Sequence, residues 1–181
     1  MDILVKKLSS ILDGSALLLG EDITNKYHAD WSGADPCAPL VLLRPNTTDQ
    51  LSEIMTMCFE YDQPVVIQGG LTGLAGGATP LSGEIAISFE RMQGIEAIDP
   101  SGMTISVLAG TPLQVIQQAA DDHELSLPLD LGARGSCQIG GNVSTNAGGT
   151  EVIRYGMTRA LVLGLEAVLA DGTVVNAMNR L

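Results

Sequence analysis

Two glycine-rich segments carry most of the chemistry that can be read from this chain of 181 residues. The first runs Gln68-Gly69-Gly70-Leu71-Thr72-Gly73-Leu74-Ala75-Gly76-Gly77, and Gln68 to Gly83 holds no charged side chain. Glycine admits positive φ and lets a backbone approach a ligand closely, and successive amides in such turns form a concave anion site. A phosphate here would be held by peptide N–H groups and the Thr72 hydroxyl. The second segment spans Leu127 to Gly149, and from Gly135 onward it is again uncharged. Its Ser136, Asn142, Ser144, Thr145 and Asn146 offer neutral donors and acceptors. Together the two segments suit a large ligand with phosphate and heteroaromatic parts. A Gly-rich connection between subdomains is the alternative reading of the first. Two familiar phosphate loops are absent: Ala78 and Thr79 stand where a P-loop needs Lys then Ser/Thr, and G-x-G-x-x-G occurs nowhere.

Charge and composition narrow the function further. Nine Lys+Arg against 21 Asp+Glu give a formal charge of −12, and aromatics are 3%. That leaves no basic footprint for nucleic acid or anionic membrane and no stacking platform for single strands. The acidic balance does not forbid local anion binding, since distant carboxylates are screened over about 8 Å at physiological salt. His28 and His123 are the only histidines, so a three-His metal site within one chain is excluded, and no metal is expected. Cys37, Cys58 and Cys137 form no CxxC pair and read as free thiols of a reducing compartment. Met1 to Lys7 lacks the pattern of a secretory leader, and the longest apolar candidate, Ala160 to Ala170, is broken by Glu166. A cytoplasmic protein without a transmembrane segment is the expectation.

These segments need elements to hold them. Asp2 to Asp13 has helical apolar spacing, Leu40 to Leu43 reads as a buried strand, and Thr47 or Thr48 caps a helix running to Tyr61. Pro64 to Ile67 is a second buried strand leading straight into the first glycine segment. Strands are expected at 84–88, 95–99 and 103–108, then a helix from Pro112 to Asp122. Leu161 to Ala170 and Thr173 to Ala177 flank Asp171-Gly172, a type I′ hairpin signal. The order predicts an α+β chain with a helical extension over 1–35, a βαβ-like subdomain over 36–90, and a strand-rich subdomain over 91–181.

The paired motifs, QGGLTGLAGG at 68–77 and LPLDLG at 127–132 through IGGNVSTNAGG at 139–149, resemble those of the PCMH-type FAD-binding domain of the vanillyl-alcohol-oxidase superfamily. Arg154-Tyr155-Gly156 and Val162 to Gly172 extend the likeness, which covers about Pro36 to Val175. Within that superfamily the chain is most similar to the FAD-linked D-2-hydroxyacid dehydrogenases, which act on D-2-hydroxyglutarate, D-lactate or glycolate. The resemblance implies two α+β subdomains with FAD between them. It assigns the pyrophosphate to Gly69, Gly70, Leu71, Thr72, Gly73, Leu74, Gly76 and Gly77. It assigns the ribityl chain and flavin ring to Pro128, Leu129, Asp130 and Ser136, then Gly140, Gly141, Asn142, Ser144, Thr145, Asn146, Gly148 and Gly149. Asp130 reads equally well as a turn residue before Leu131-Gly132.

Two departures qualify the resemblance. Leu71 stands where relatives usually carry Gly or Asn, so its side chain must turn away from the phosphates. It also replaces the His of relatives with covalent flavin, so FAD is expected to be noncovalent. The likeness further implies that the chain is the N-terminal part of a larger flavoprotein and stops before the substrate domain. No catalytic residue can then be assigned to it, and alone it would show no turnover. The electron acceptor is open, and a homodimer is allowed. A non-catalytic nucleotide-binding or assembly module is the competing reading.

Overall fold

The computed structural model describes residues 2–178; Met1 and residues 179–181, the outer ends of the first and third expected segments, lie outside them. Helix α1 (Asp2–Ile11) buries Leu4 and Leu8 against helix α2 (Thr48–Glu60). The start of α2 follows from its sequence. Thr47 has extended backbone and accepts from the Gln50 N–H at 3.1 Å, while the Gln50 side chain accepts from Asn46 N at 3.0 Å. Leu51, Ile54 and Cys58 then fall on one buried face.

Four strands form the first sheet: β1 (Leu17–Leu19), β2 (Val41–Leu43), β3 (Val65–Gln68) and β4 (Ile85–Ser88), in the order β1-β2-β4-β3. β2, β4 and β3 are parallel, and β1 joins antiparallel with Leu18 opposite Leu42. Alternation across the sheet makes two cores. Val41, Leu43, Ile85 and Ile87 pack with α1 and α2, whereas Leu42, Val66 and Ala86 pack with Ile23, Tyr27 and Leu71 on the other face. Residues 1–35, expected as a helical extension, thus supply α1, an edge strand and part of the second core.

The chain then forms β5 (Ile95–Asp99) and β6 (Thr104–Val107), an antiparallel pair, and helix α3 (Leu113–Asp121) behind Pro112. A third core gathers Leu113, Leu129 and Cys137. Two short helices, α4 (Ile139–Ser144) within the second glycine segment and α5 (Val152–Tyr155) just after it, form where the sequence predicts no element.

The last hairpin pairs β7 (Glu166–Val168) with β8 (Val174–Asn176), shorter than the expected strands. Its turn is not type I′, because Gly172 has φ +86° while Asp171 is not left-handed. Gly172 N donates to Leu169 O at 3.0 Å and Leu169 N to Thr173 O at 2.9 Å. That is a three-residue loop built on a type I turn with glycine in the bulge position. The hairpin docks on α2 through Thr48 Oγ1 to Glu166 Oε1 at 2.8 Å and Ser52 Oγ to Gly172 O at 2.6 Å. Replacing Ser52 with alanine should cost about 1 kcal/mol. Hydrogen exchange of the β7–β8 amides should rise selectively; unchanged exchange there would show that the hydroxyl does not hold the hairpin.

Candidate cofactor site

The first glycine segment leaves the C-terminal end of β3, beside the end of β4, where Phe89 N donates to Gln68 O at 3.0 Å. Gln68 itself is fully buried, and its Nε2 bridges Tyr27 O at 2.9 Å and Ala78 O at 3.0 Å, closing the base of the loop. Leu71 takes φ +59°, which sends its side chain down into the second core. The loop backbone is therefore free to face outward. Among the described residues, no N–H group from Leu71 to Gly77 donates a hydrogen bond within the chain. The first amide beyond them, Ala78 N, is taken by Asp30 Oδ2 at 3.2 Å. Leu74 extends outward at 77% exposure, and Trp31 stands on the adjoining segment at 76%.

The two glycine segments meet at Gly69 and Gly70. A Cβ on Gly70 would overlap the Ser136 carbonyl oxygen and lie 2.7 Å from its carbon. This close crossing excludes any side chain at that position. A cleft of about 480 Å³ opens beside the crossing, lined by Gly69, Gly70, Ser136, Gln138, Pro112 and a charged rim. Gln138 is 7% exposed, and its Oε1 is a buried acceptor with no partner, 3.5 Å from where a Cβ on Gly69 would stand. An orphaned buried amide costs stability unless something pairs with it, and a ligand in the cleft is the available partner.

The rim was not foreseen from sequence. Glu90 accepts from Lys26 Nζ at 2.8 Å, Tyr27 Oη at 2.7 Å and Arg44 Nη1 at 2.9 Å. Burial pushes the Glu90 carboxyl up, but those three donors outweigh it and hold the group at about 2. Arg91, also on the rim, is paired with Asp13 at 3.0 Å. Lys26 and Arg91, the two cations that line the cleft, are thus already matched by carboxylates, which leaves the loop amides as the uncommitted donors for an anion.

The remaining expected residues lie along the second segment. Pro128 and Asp130 line a separate depression with Gln117, Ser126, Arg134 and Tyr155, and Asp130 pairs with Arg134 at 2.8 Å. Leu129 is in the third core. Gly149, at φ +98°, crosses the Asp130 carbonyl so tightly that a Cβ would overlap its oxygen. Gly140 packs on Ala109, and Gly148 lies beside Met157 and Val152. Asn142 is buried with Oδ1 unpartnered, and Gly141 is exposed. The Ser144 and Thr145 hydroxyls donate to Gly140 O and Gly141 O at 2.8 Å each, and Asn146 Oδ1 accepts from Arg159 N at 2.9 Å. Cys137 is buried and its thiol is pushed up by that burial, the behaviour of a packing residue. Among the described residues no group of His, Cys, Asp and Glu could hold a metal, and no helix is long and apolar enough to cross a membrane.

The free amides, the glycine crossing and the orphaned Gln138 fit a diphosphate-bearing cofactor, and comparison with known proteins identifies it. The family model described as an FAD binding domain matches residues 39–178. The chain belongs to that family. Its cofactor is FAD. It is 44% identical over 171 residues to the mitochondrial D-2-hydroxyglutarate dehydrogenase of Danio rerio, covering 92% of this chain and 32% of that one. The enzyme of the same name from Bos taurus is 46% identical over 155 residues, covering 85% and 28%. The chain thus spans about a third of the length of these relatives. The structure of p-cresol methylhydroxylase superposes with a TM-score of 0.77 at 19% identity, over 96% of this chain and 34% of that one, which establishes the PCMH-type α+β fold.

One expectation is overturned. The dehydrogenases from Danio rerio and Bos taurus are named mitochondrial, against the cytoplasmic location read from the sequence. Free thiols mark any reducing compartment, so they could not single out the cytoplasm.

Proposed function

We propose that this FAD-binding domain serves the oxidation of a D-2-hydroxy acid to the 2-oxo acid, with D-2-hydroxyglutarate or D-lactate as the leading substrates and glycolate as a smaller alternative. The observation that carries the reading is the crossing of Gly69–Gly70 over Ser136, beside seven uncommitted loop amides and the orphaned Gln138 oxygen. In this reading Leu71 to Gly77 hold the diphosphate, Gly69, Gly70 and Ser136 frame the cleft, and the segment from Pro128 to Gly149 lines the ribityl chain and ring. Residues 36–90 and 91–181 are the two halves between which the cofactor lies, with 1–35 built onto the first.

FAD, when bound, supplies the hydride acceptor. The residues of this chain bind it and orient it. Leu71 is packed in the core and has no nucleophilic atom, so the attachment is noncovalent.

The test is direct. Protein loaded with FAD and passed through gel filtration should stay yellow, with about one flavin per chain, and acid precipitation should release all the flavin into the supernatant. Colourless protein would remove the binding reading, and flavin retained in the pellet would remove the noncovalent one. With D-2-hydroxyglutarate or D-lactate added, this chain alone should leave the flavin oxidised, since its match to those dehydrogenases covers only a third of their length. Anaerobic bleaching of the flavin by either acid would contradict that.

A further inference from the structure

A buried carboxylate sits directly behind the loop proposed to hold an anion. Asp30 is 8% exposed. Its Oδ2 accepts from Ala78 N at 3.2 Å, and its Oδ1 accepts from Thr79 Oγ1 at 3.1 Å and Ser32 N at 3.0 Å. Its own N–H donates to Thr79 Oγ1 at 3.0 Å. The same Oδ2 lies 3.5 Å from where a Cβ on Gly73 would stand, so the group spans from the middle of the loop to its exit. Gln68, through Tyr27 O and Ala78 O, ties the loop entry to the same 27–32 segment.

Electrostatics alone would not place a carboxylate here, because a negative charge close to a diphosphate opposes its binding. A geometric role accounts for it. The loop from Gly69 to Gly77 has five glycines and, left to itself, many backbone conformations. An anion gains most from amides already aimed at it, since no ordering is then needed on binding. A carboxylate can accept from a backbone amide, a hydroxyl and a second amide at once, which a neutral side chain of the same size cannot do equally on both oxygens.

We infer that Asp30 is the positioning residue of the glycine loop, fixing Ala78 and Thr79 so that the free amides of Leu71 to Gly77 converge on a diphosphate. This rests on the proposed assignment of that loop to the cofactor diphosphate. Asp30→Asn keeps the volume but turns one acceptor into a donor; whichever way the amide lies, its NH2 faces the Ala78 N–H or the Ser32 N–H, neither of which can accept. Thr79→Val removes the hydroxyl partner and leaves the carboxylate.

The measurement is the Kd for FAD and the Ki of inorganic pyrophosphate displacing it, together with the number of sites per chain and the apoprotein Tm. Trp31, the only tryptophan and exposed beside the loop, provides an emission signal independent of activity. Asp30→Asn should raise both constants about tenfold or more with sites per chain unchanged, and Thr79→Val should raise them less. A merely structural role would lower Tm and the number of sites while leaving Kd and Ki of the folded fraction alone, and that result overturns the inference. Gly77→Val separates the two ideas, because a Cβ there meets nothing within 4 Å and its backbone is not left-handed. If Gly77→Val weakens FAD and Asp30→Asn does not, the positioning role falls and the loop assignment stands. If neither variant changes Kd or Ki, both fall.

Discussion

Replacing Gly70 with alanine should unfold the junction of the two glycine segments, lower Tm by roughly 6–12 °C and abolish FAD retention. The added carbon would lie 2.7 Å from the Ser136 carbonyl carbon and 2.9 Å from the Cys137 Cα. Both are backbone atoms, and Cys137 is locked in the third core, so neither can give way without moving a packed layer. Overpacking of this kind costs about 3 kcal/mol or more, which in a chain of this size corresponds to the stated shift. Gly77→Ala is the control. Its Cβ would enter open space, so Tm should stay within about 1 °C while any loss appears in FAD affinity alone. The pair divides glycines that let two backbones cross from glycines that let a ligand approach. A wild-type Tm for Gly70→Ala, read by calorimetry, would show that the crossing is not a tight one.

That division was only half visible in the sequence. The residues of β2, α2, β3 and β4 were legible because continuous apolar runs and a Thr-x-x-Gln cap are strong local signals. The glycine segments were legible as chemistry, but not as to what each glycine does. Gly70, Gly140 and Gly149 are demanded by neighbouring backbone, and that follows from tertiary contacts no local pattern encodes. Helix α4 was missed because Gly140, Gly141, Asn142 and Ser144 are poor helix formers, and packing on Ala109 and the third core overrides the propensity. β1 was missed because three leucines after a turn carry no alternation, and only pairing with β2 makes them a strand. Asp30, Gln68, Glu90 and Gln138 are isolated polar residues in sequence. Each acquires its role from a partner ten to sixty-four positions away or from the cleft itself. A polar residue flanked by apolar strand, as Gln68 is, was the one available hint.

Glu90 gives the largest expected pH effect. Its carboxyl is held at about 2 against an ordinary value of 4.5, so the folded state binds its proton more weakly than the unfolded state does. The contribution to stability is therefore complete above about pH 4.5 and is lost as pH falls from there through about 2. Its size is about 3 kcal/mol by linkage. The Lys26 arm is largely solvent-exposed and screened, so most of this comes from Arg44 and Tyr27, which are more enclosed. Glu90→Gln should lose that increment at pH 7, leaving Arg44 partly buried without its counter-charge. Near pH 2 the two proteins should converge, since the wild-type carboxyl is then half protonated and its advantage is nearly gone. Denaturant titrations of both proteins at pH 7, 4 and 2 would read this as a gap that closes with acid. A gap that is constant across the three values would mean that the Glu90 contribution is steric and not ionic. A gap that widens in acid would mean that the sign of the linkage, and with it the assignment of Glu90 as the ionised hub of the cleft rim, is wrong.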